Sequence, residues 1–434
     1  MIKEKVYKNG AILIYKKRKR KCVTVTAGFV FGKNRDNYAE PIAHFCEHML
    51  FKETENKNTE QLKDSMRETF SKYNGFTSLF YTFIDFCRSK KALVPCFELA
   101  SEMLLNTKFS DENVENEKGV IKQELVRKSN IDEAKLHNAC IRTIRNDYTK
   151  FTSVLGNEEE INAVTVKDLK KFRDETFISQ NFVISITGGI SFTKAKRLAE
   201  KHFINRLKSS PAYVPNKDIL LPIQRNGNLL LEHFEKDKAM CSIAIKIDNE
   251  LENQRTYQHL SYLCKISNEF SGRMISSLRE KGLVYSVHIG HDTTPNMCML
   301  EISFECSPEN VNKIIDQLGI VLNEYKTIPF TEKLIENIKF KAKLAEDEQT
   351  PSPIYPDTNT FYHYLTRGKE RFTKKYAKQG KKIFERTKSQ DLLEFCQKVL
   401  SKPENLYVTI LSNAPNETYY TYKQMQDILT RNII

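Results

Sequence analysis

An α+β fold built as two copies of one unit is predicted by three observations. Strand-like alternation and helical periodicity come in separate blocks rather than in strict strand–helix alternation. That block plan runs once to about residue 203 and starts again at Leu229. The segments that close each copy also match, since Asn181-Phe182-Val183-Ile184-Ser185-Ile186 is echoed by Asn405-Leu406-Tyr407-Val408-Thr409-Ile410. Self-similarity at this separation marks an internal repeat. Each copy is expected to be an antiparallel-rich sheet packed against helices.

In the first copy, residues 6–15 read as strand through the turn dipeptide Asn9-Gly10, and Val23 to Phe31 as a second strand. Helical spacing of apolar residues runs from Ile42 to about Met66, from Leu93 to Leu105 and from Asp111 to Lys128. Between the first two, Phe76 to Phe86 is β-branched and aromatic and reads as one strand. A helix at Thr165–Thr176 carries Asp168 in its first turn, Asn181 to Thr187 is the closing strand, and Lys194–Phe203 is a short last helix. The Pro- and Ser-rich stretch 209–228 reads as a linker. Domains are therefore expected at 1–208 and 229–434. The second has strands at Leu229–Glu232, Cys241–Ile247, Val284–Ile289 and Met299–Phe304, with helices at Thr256–Arg279, Pro308–Tyr325 and Thr331–Gln349. The run Gln349 to Pro356 reads as a stiff loop.

Composition bounds the function. Among 434 residues, 40% are hydrophobic and 28% charged, enough apolar material for real cores. No apolar run approaches the ~18–20 residues of a membrane helix, so no membrane span is expected. The N-terminus has neither an apolar signal core nor an acid-poor transit segment. Ten cysteines lie far apart with no Cys-x-x-Cys pair, as in reduced proteins, and a cytoplasmic location is expected. Lys+Arg exceed Asp+Glu by 68 to 55, a net +13. The densest basic run, Lys16 to Lys21, lacks interleaved aromatics and reads as a solvated hairpin turn, not a nucleic-acid site.

The chemistry lies in His44-Phe45-Cys46-Glu47-His48. On a helix, positions i and i+4 sit about 40° apart, so both imidazoles reach one metal ion. Glu47 stays on that side and can act on a metal-bound water without being a ligand. Cys46 points elsewhere and reads as core. A catalytic zinc usually takes three protein ligands and keeps one position open. The third is sought in the acidic helix that carries Glu117 and Glu124, seven residues apart on one face. Either carboxylate can ligate by this spacing, leaving the other to orient the site.

The surrounding motifs resemble the pitrilysin/insulinase family of zinc metallopeptidases, whose motif inverts His-Glu-x-x-His. The match comprises Asn9-Gly10, Gly32-Lys33-Asn34-Arg35-Asp36, Ile42 through Thr54, Asn74-Gly75-Phe76-Thr77-Ser78 and Glu117-Lys118-Gly119-Val120-Ile121-Lys122-Gln123-Glu124. Leu278-Arg279-Glu280-Lys281-Gly282-Leu283-Val284-Tyr285-Ser286 extends it into the second half. Three features depart from the family pattern. The Arg-to-Tyr spacing is one residue short, the glycine pair before Asn74 is missing, and Glu53 stands where the family has Gly.

The resemblance implies His44, His48 and Glu124 as zinc ligands, Glu47 as general base and Glu117 as the carboxylate that orients the site. It implies that Asn74 binds substrate backbone along a sheet edge, and that Arg279 and Tyr285 grip the substrate and its developing oxyanion. The expected protein is a zinc-dependent endopeptidase of the short two-domain branch that includes mitochondrial processing peptidase subunits. It would supply half of a peptidase chamber, cleave short unfolded peptides or precursor leaders, and work as a homodimer or as a heterodimer with a related chain. A non-catalytic subunit of the same family is the alternative. The charge excess is read in part as chamber lining that favours acidic peptides.

Overall fold

The computed structural model describes residues 2–431 except 20, 32–37, 79–80, 145–153, 211–225, 248–252, 270–271, 285, 295–296 and 349–373. Tyr285, the Gly32–Asp36 motif, the 349–356 loop and most of the linker lie outside the described residues. The described residues form two compact units, one from 2–130 and 154–210, the other from 131–144, 226–348 and 374–431.

In chain order the first unit supplies β1 (Ile2–Val6), β2 (Ile12–Lys17), β3 (Cys22–Val30), α1 (Ile42–Met49), α2 (Thr59–Thr69), β4 (Lys72–Thr77), β5 (Tyr81–Ser89), α3 (Leu93–Leu105) and α4 (Asp111–Ser129). Helix α5 (Asp132–Ile144) belongs to the second unit, after which α6 (Glu158–Ala163), α7 (Val166–Thr176), β6 (Phe182–Gly188) and α8 (Phe192–Ala199) complete the first. The sheet order is β1-β2-β6-β3-β5-β4. Only β2 and β6 run parallel. Apolar side chains of β2, β3, β5 and β6 pack with α1, α3 and α7 in one core that includes Phe29, Phe45, Phe97 and Phe172. Each such ring removes a large apolar area from water. Strand β4 is left at the sheet edge.

The second unit continues with β7 (Asn228–His233), β8 (Ala239–Ile247), α9 (Gln254–Ser267), α10 (Arg273–Arg279), β9 (Val287–Thr294), β10 (Met297–Cys306), α11 (Val311–Thr327), α12 (Glu332–Glu348), α13 (Lys374–Arg386), α14 (Ser389–Val399), β11 (Leu406–Ser412) and α15 (Tyr422–Thr430). Its sheet order, β7-β11-β8-β10-β9, repeats β2-β6-β3-β5-β4 strand for strand, with β7 and β11 as the parallel pair. The duplicated α+β plan is thus present, and β1 is the first unit's addition. Helix α5 covers part of this sheet. Its Leu136 and Ala139 pack with Phe234, Met240 and Leu411, and Thr143 hydrogen-bonds Thr409 at 2.7 Å.

Four local readings are corrected. The Ile42–Met66 periodicity is two helices, because Thr54 bridges to Lys57 and Thr107 and a capping box at Asn58 with Gln61 restarts the chain as α2. Thr256–Arg279 is likewise split after Ser267. Asn268 there donates to the carbonyls of Cys264 and Ile289, and a Cβ on Gly272 would lie 2.5 Å from the Ile266 oxygen. The single strand read at Phe76–Phe86 is the paired β4 and β5, joined across a Ser78 N–H to Tyr81 oxygen bond of 2.9 Å. The basic run after Lys16 is not a hairpin turn, since β6 lies between β2 and β3. Among the described residues no helix is long and apolar enough to cross a membrane.

Candidate metal centre

Helix α1 is eight residues long, and all of them except His48 are buried. Phe45, Cys46 and Met49 face the core. The Cys46 thiol approaches the Leu169 carbonyl at 3.9 Å, and burial pushes its pKa up, as for an inert core thiol. Holding that apolar face fixes the opposite one, which carries His44, Glu47 and His48. Helix α4 crosses nearby. Ser110 caps it by accepting from the Asn113 N–H, and its buried residues are Val114, Glu117 and Ile121. Glu124 is the next residue on that stripe.

The two helices bring His44, His48 and Glu124 together with one ligand atom each inside 4.8 Å. Glu124 Oε2 is 3.7 Å from His44 Nε2 and 3.6 Å from His48 Nε2. Donors on a tetrahedral zinc, each ~2.0–2.1 Å from the ion, stand about 3.3 Å apart. The donor set and its spacing therefore fit a zinc ion with one position left for another ligand.

Glu117 meets the other nitrogen of His48. Its Oε1 is 2.7 Å from His48 Nδ1, and its Oε2 pairs with Lys52. A carboxylate on the far imidazole nitrogen fixes the ring's tautomer and aims Nε2 at the metal position. Spacing left Glu117 and Glu124 alike, and in the structure Glu117 meets His48 Nδ1 while Glu124 lies near the Nε2 atoms of both imidazoles. Burial alone would lower the His48 pKa, but the bonds to Glu117 and Glu124 outweigh it and raise the pKa to about 9. The bond to His48, backed by Lys128 at 2.9 Å, holds Glu124 well below the usual carboxylate range.

Glu47 is buried without joining the cluster. Thr77 donates to its Oε2 at 2.9 Å, and burial is the main cause that raises its pKa. Its other oxygen lies against Gly75, where a Cβ would stand only 2.2 Å away. Glu47, His48, Glu117, Asn74 and Gly75 line one cavity of about 810 Å³. Asn74 lies within edge strand β4, exposed and opposite Asp85 of β5, not in a turn. Arg279 ends α10 in the second unit and is exposed. Thr77, Gly75, Lys52 and Lys128 gained no role from sequence, because only the fold brings them to the site. Thr77, Gly75 and Lys52 did lie inside recognised motifs, which was the available signal.

Comparison with known proteins agrees with this geometry. A family profile described as insulinase (peptidase family M16) matches residues 14–158, and one described as the peptidase M16 inactive domain matches residues 163–342. All four of His44, Glu47, His48 and Glu124 fall in the first span. An uncharacterised zinc protease of Bacillus subtilis is 24% identical over 307 residues, 70% of this chain and 72% of that protein. A probable mitochondrial-processing peptidase subunit beta of Schizosaccharomyces pombe is 28% identical over 161 residues, 37% of this chain and 35% of the relative. The crystal structure of a protease from Helicobacter pylori superposes with a TM-score of 0.79 at 19% identity, covering 96% of this chain and all of that one. Two family profiles end to end over about three quarters of the sequence, on a fold and a histidine–carboxylate cluster of this kind, establish that the chain belongs to the insulinase (M16), or pitrilysin, family of peptidases.

Proposed function

We propose that this chain is a zinc-dependent endopeptidase that cleaves short unfolded peptides or precursor leaders. The observation that carries the reading is a complete donor triangle, His44, His48 and Glu124, of which His48 shares a cavity wall with a carboxylate that is not a ligand, Glu47. When bound, zinc lowers the pKa of its water and polarises the scissile carbonyl. Glu47 takes the water proton and returns it to the leaving amine. Burial suits Glu47 to this by raising its proton affinity, and Thr77 fixes one oxygen so that the other faces the cavity. Glu117 holds His48 in the ligating tautomer. Asn74, on the edge strand β4, aligns an extended peptide by strand addition.

Arg279 and Tyr285 complete the substrate grip, and the working unit is a dimer, either of this chain or with a related one. The relative described as a mitochondrial-processing peptidase subunit supports an assembly of this type. The inactive-domain profile covers none of the donor residues and leaves the catalytic reading intact. Ten free cysteines, most of them buried, support a reducing cytoplasmic setting.

The test is zinc content together with cleavage of an unfolded peptide. Wild-type protein is expected to hold one zinc per chain and to cleave. Glu47→Gln protein is expected to hold the zinc and lose ~10²–10⁴-fold in rate, the usual worth of a general base. Equal activity in both would refute the assigned base. Mixing Glu47→Gln with Arg279→Ala chains tests site sharing: recovered activity supports a site built from two chains, and no recovery removes that arrangement.

A further inference from the structure

The cavity beside Glu47 does not end at the reacting groups. Its floor is apolar, made by Phe51, Met66, Phe70 and Tyr73, with the Tyr73 ring 6.2 Å from Phe51 and 5.6 Å from Phe70. Its rim is cationic, made by Lys52, Lys63 and Arg67. One face of helix α2 and its end supplies much of both. Lys63, Met66, Arg67 and Phe70 follow at i, i+3, i+4 and i+7, so charge and apolar surface alternate toward the same space.

Of that rim only Lys52 is offset by a carboxylate of the cavity wall. The wall's two acids are Glu47, held by Thr77, and Glu117, engaged by His48 and Lys52. Lys63 makes no ion pair among the described residues. Arg67 pairs with Asp64 three residues back on the same exposed helix face, a contact that water weakens and a better-placed anion displaces.

Resting on the peptidase reading above, we infer that this cavity selects acidic peptides: a large apolar residue next to the scissile bond lies on the aromatic floor, and an adjoining glutamate or aspartate meets Lys63 and Arg67. The rim supplies long-range attraction as well as contact, so the preference weakens with salt. The positive charge of the chain thus has a local use beside the site.

The experiment measures binding and turnover separately. Fluorescent peptides that differ only in the residue next to the apolar one, Glu, Gln or Lys, are titrated onto zinc-loaded Glu47→Gln protein by anisotropy, and the same peptides are offered to active protein. Tighter binding and faster cleavage of the Glu peptide than of the Lys peptide, roughly 10-fold at low salt and narrowing at high salt, are expected for two or three partly exposed cation contacts. Adding Lys63→Glu and Arg67→Glu, both on an exposed helix face, is expected to invert the order. Equal binding of Glu and Lys peptides, or an order unchanged in the charge-reversed protein, overturns the inference while cleavage by the wild type keeps the peptidase reading. Absence of both binding and cleavage for every peptide overturns the reading and the inference together.

Discussion

His48 and His259 lie on corresponding helices of the two units, each the helix that follows the central strand β3 or β8. Burial lowers the proton affinity of both rings. Yet His48 is raised to about 9 and His259 is lowered to about 4. The difference lies in the neighbours. His48 meets Glu117 and Glu124, whereas His259 packs edge-on against the Phe395 ring, and Asp391 opposes its burial only in part. One plan of strands and helices thus holds a metal-competent histidine in one copy and a neutral core histidine in the other. A histidine becomes a ligand through the carboxylates that the fold brings to it, and burial without them makes it a core residue.

The strongest way to break that contrast is to remove the ring. His48→Ala is expected to drop zinc from one per chain to near zero in metal analysis, with loss of cleavage, because two remaining donors hold zinc poorly. Gly75→Ala is next. The added methyl must push Glu47 aside, and a misplacement of about 1 Å is expected to cost ~10²-fold in kcat/KM. Zinc content stays at one per chain in this variant, which separates it from loss of the metal. Glu117→Gln removes only the charge behind His48. It is expected to weaken zinc binding by about 10–100-fold in a chelator competition. In the chelated protein it is also expected to bring the His48 titration, followed by NMR, down from about 9 toward its ordinary value.

The smallest effect belongs to His259→Leu, which is expected to leave zinc content and cleavage unchanged. Its signature lies in the pH dependence of melting. For His259 the folded pKa is depressed from 6.5 to about 4, so its share of stability is present above pH 6.5 and is lost as pH falls through about 4. For His48 the folded pKa is raised from 6.5 to about 9, so its share is present below pH 6.5 and is lost as pH rises through about 9. In chelator, the Leu variant is expected to lose a few degrees less Tm than wild type between pH 6.5 and 4, and to follow it at alkaline pH. Parallel acid limbs in the two proteins would show that His259 does not titrate as a buried neutral ring.

The residues that meet between α1 and α4 were legible in sequence because helical spacing is local: His44 and His48 share a face by being four residues apart, and Glu117 and Glu124 by being seven. The duplicated plan was legible for a similar reason, since matching closing strands expose an internal repeat. Helix breaks at Leu50 and Asn268 were not. Apolar periodicity passes through both points, and what stops the helix is a tertiary bridge at Thr54 in one case and a close backbone approach at Gly272 in the other. The placement of α5 on the second unit's sheet was also hidden, because nothing local tells an amphipathic helix which of two similar sheets it will cover.

Sequence by itself determined the fold class and the repeat, and set His44, Glu47 and His48 on one side of a helix, because each depends on residue type and short spacing. Only the tertiary structure puts Glu124 near the Nε2 atoms of His44 and His48 and Glu117 on the Nδ1 of His48. It alone brings Thr77 and Gly75 against Glu47, and Lys63 and Arg67 into the wall of the cavity beside it. Those are distances between segments far apart in the chain, and spacing along one segment carries no information about them.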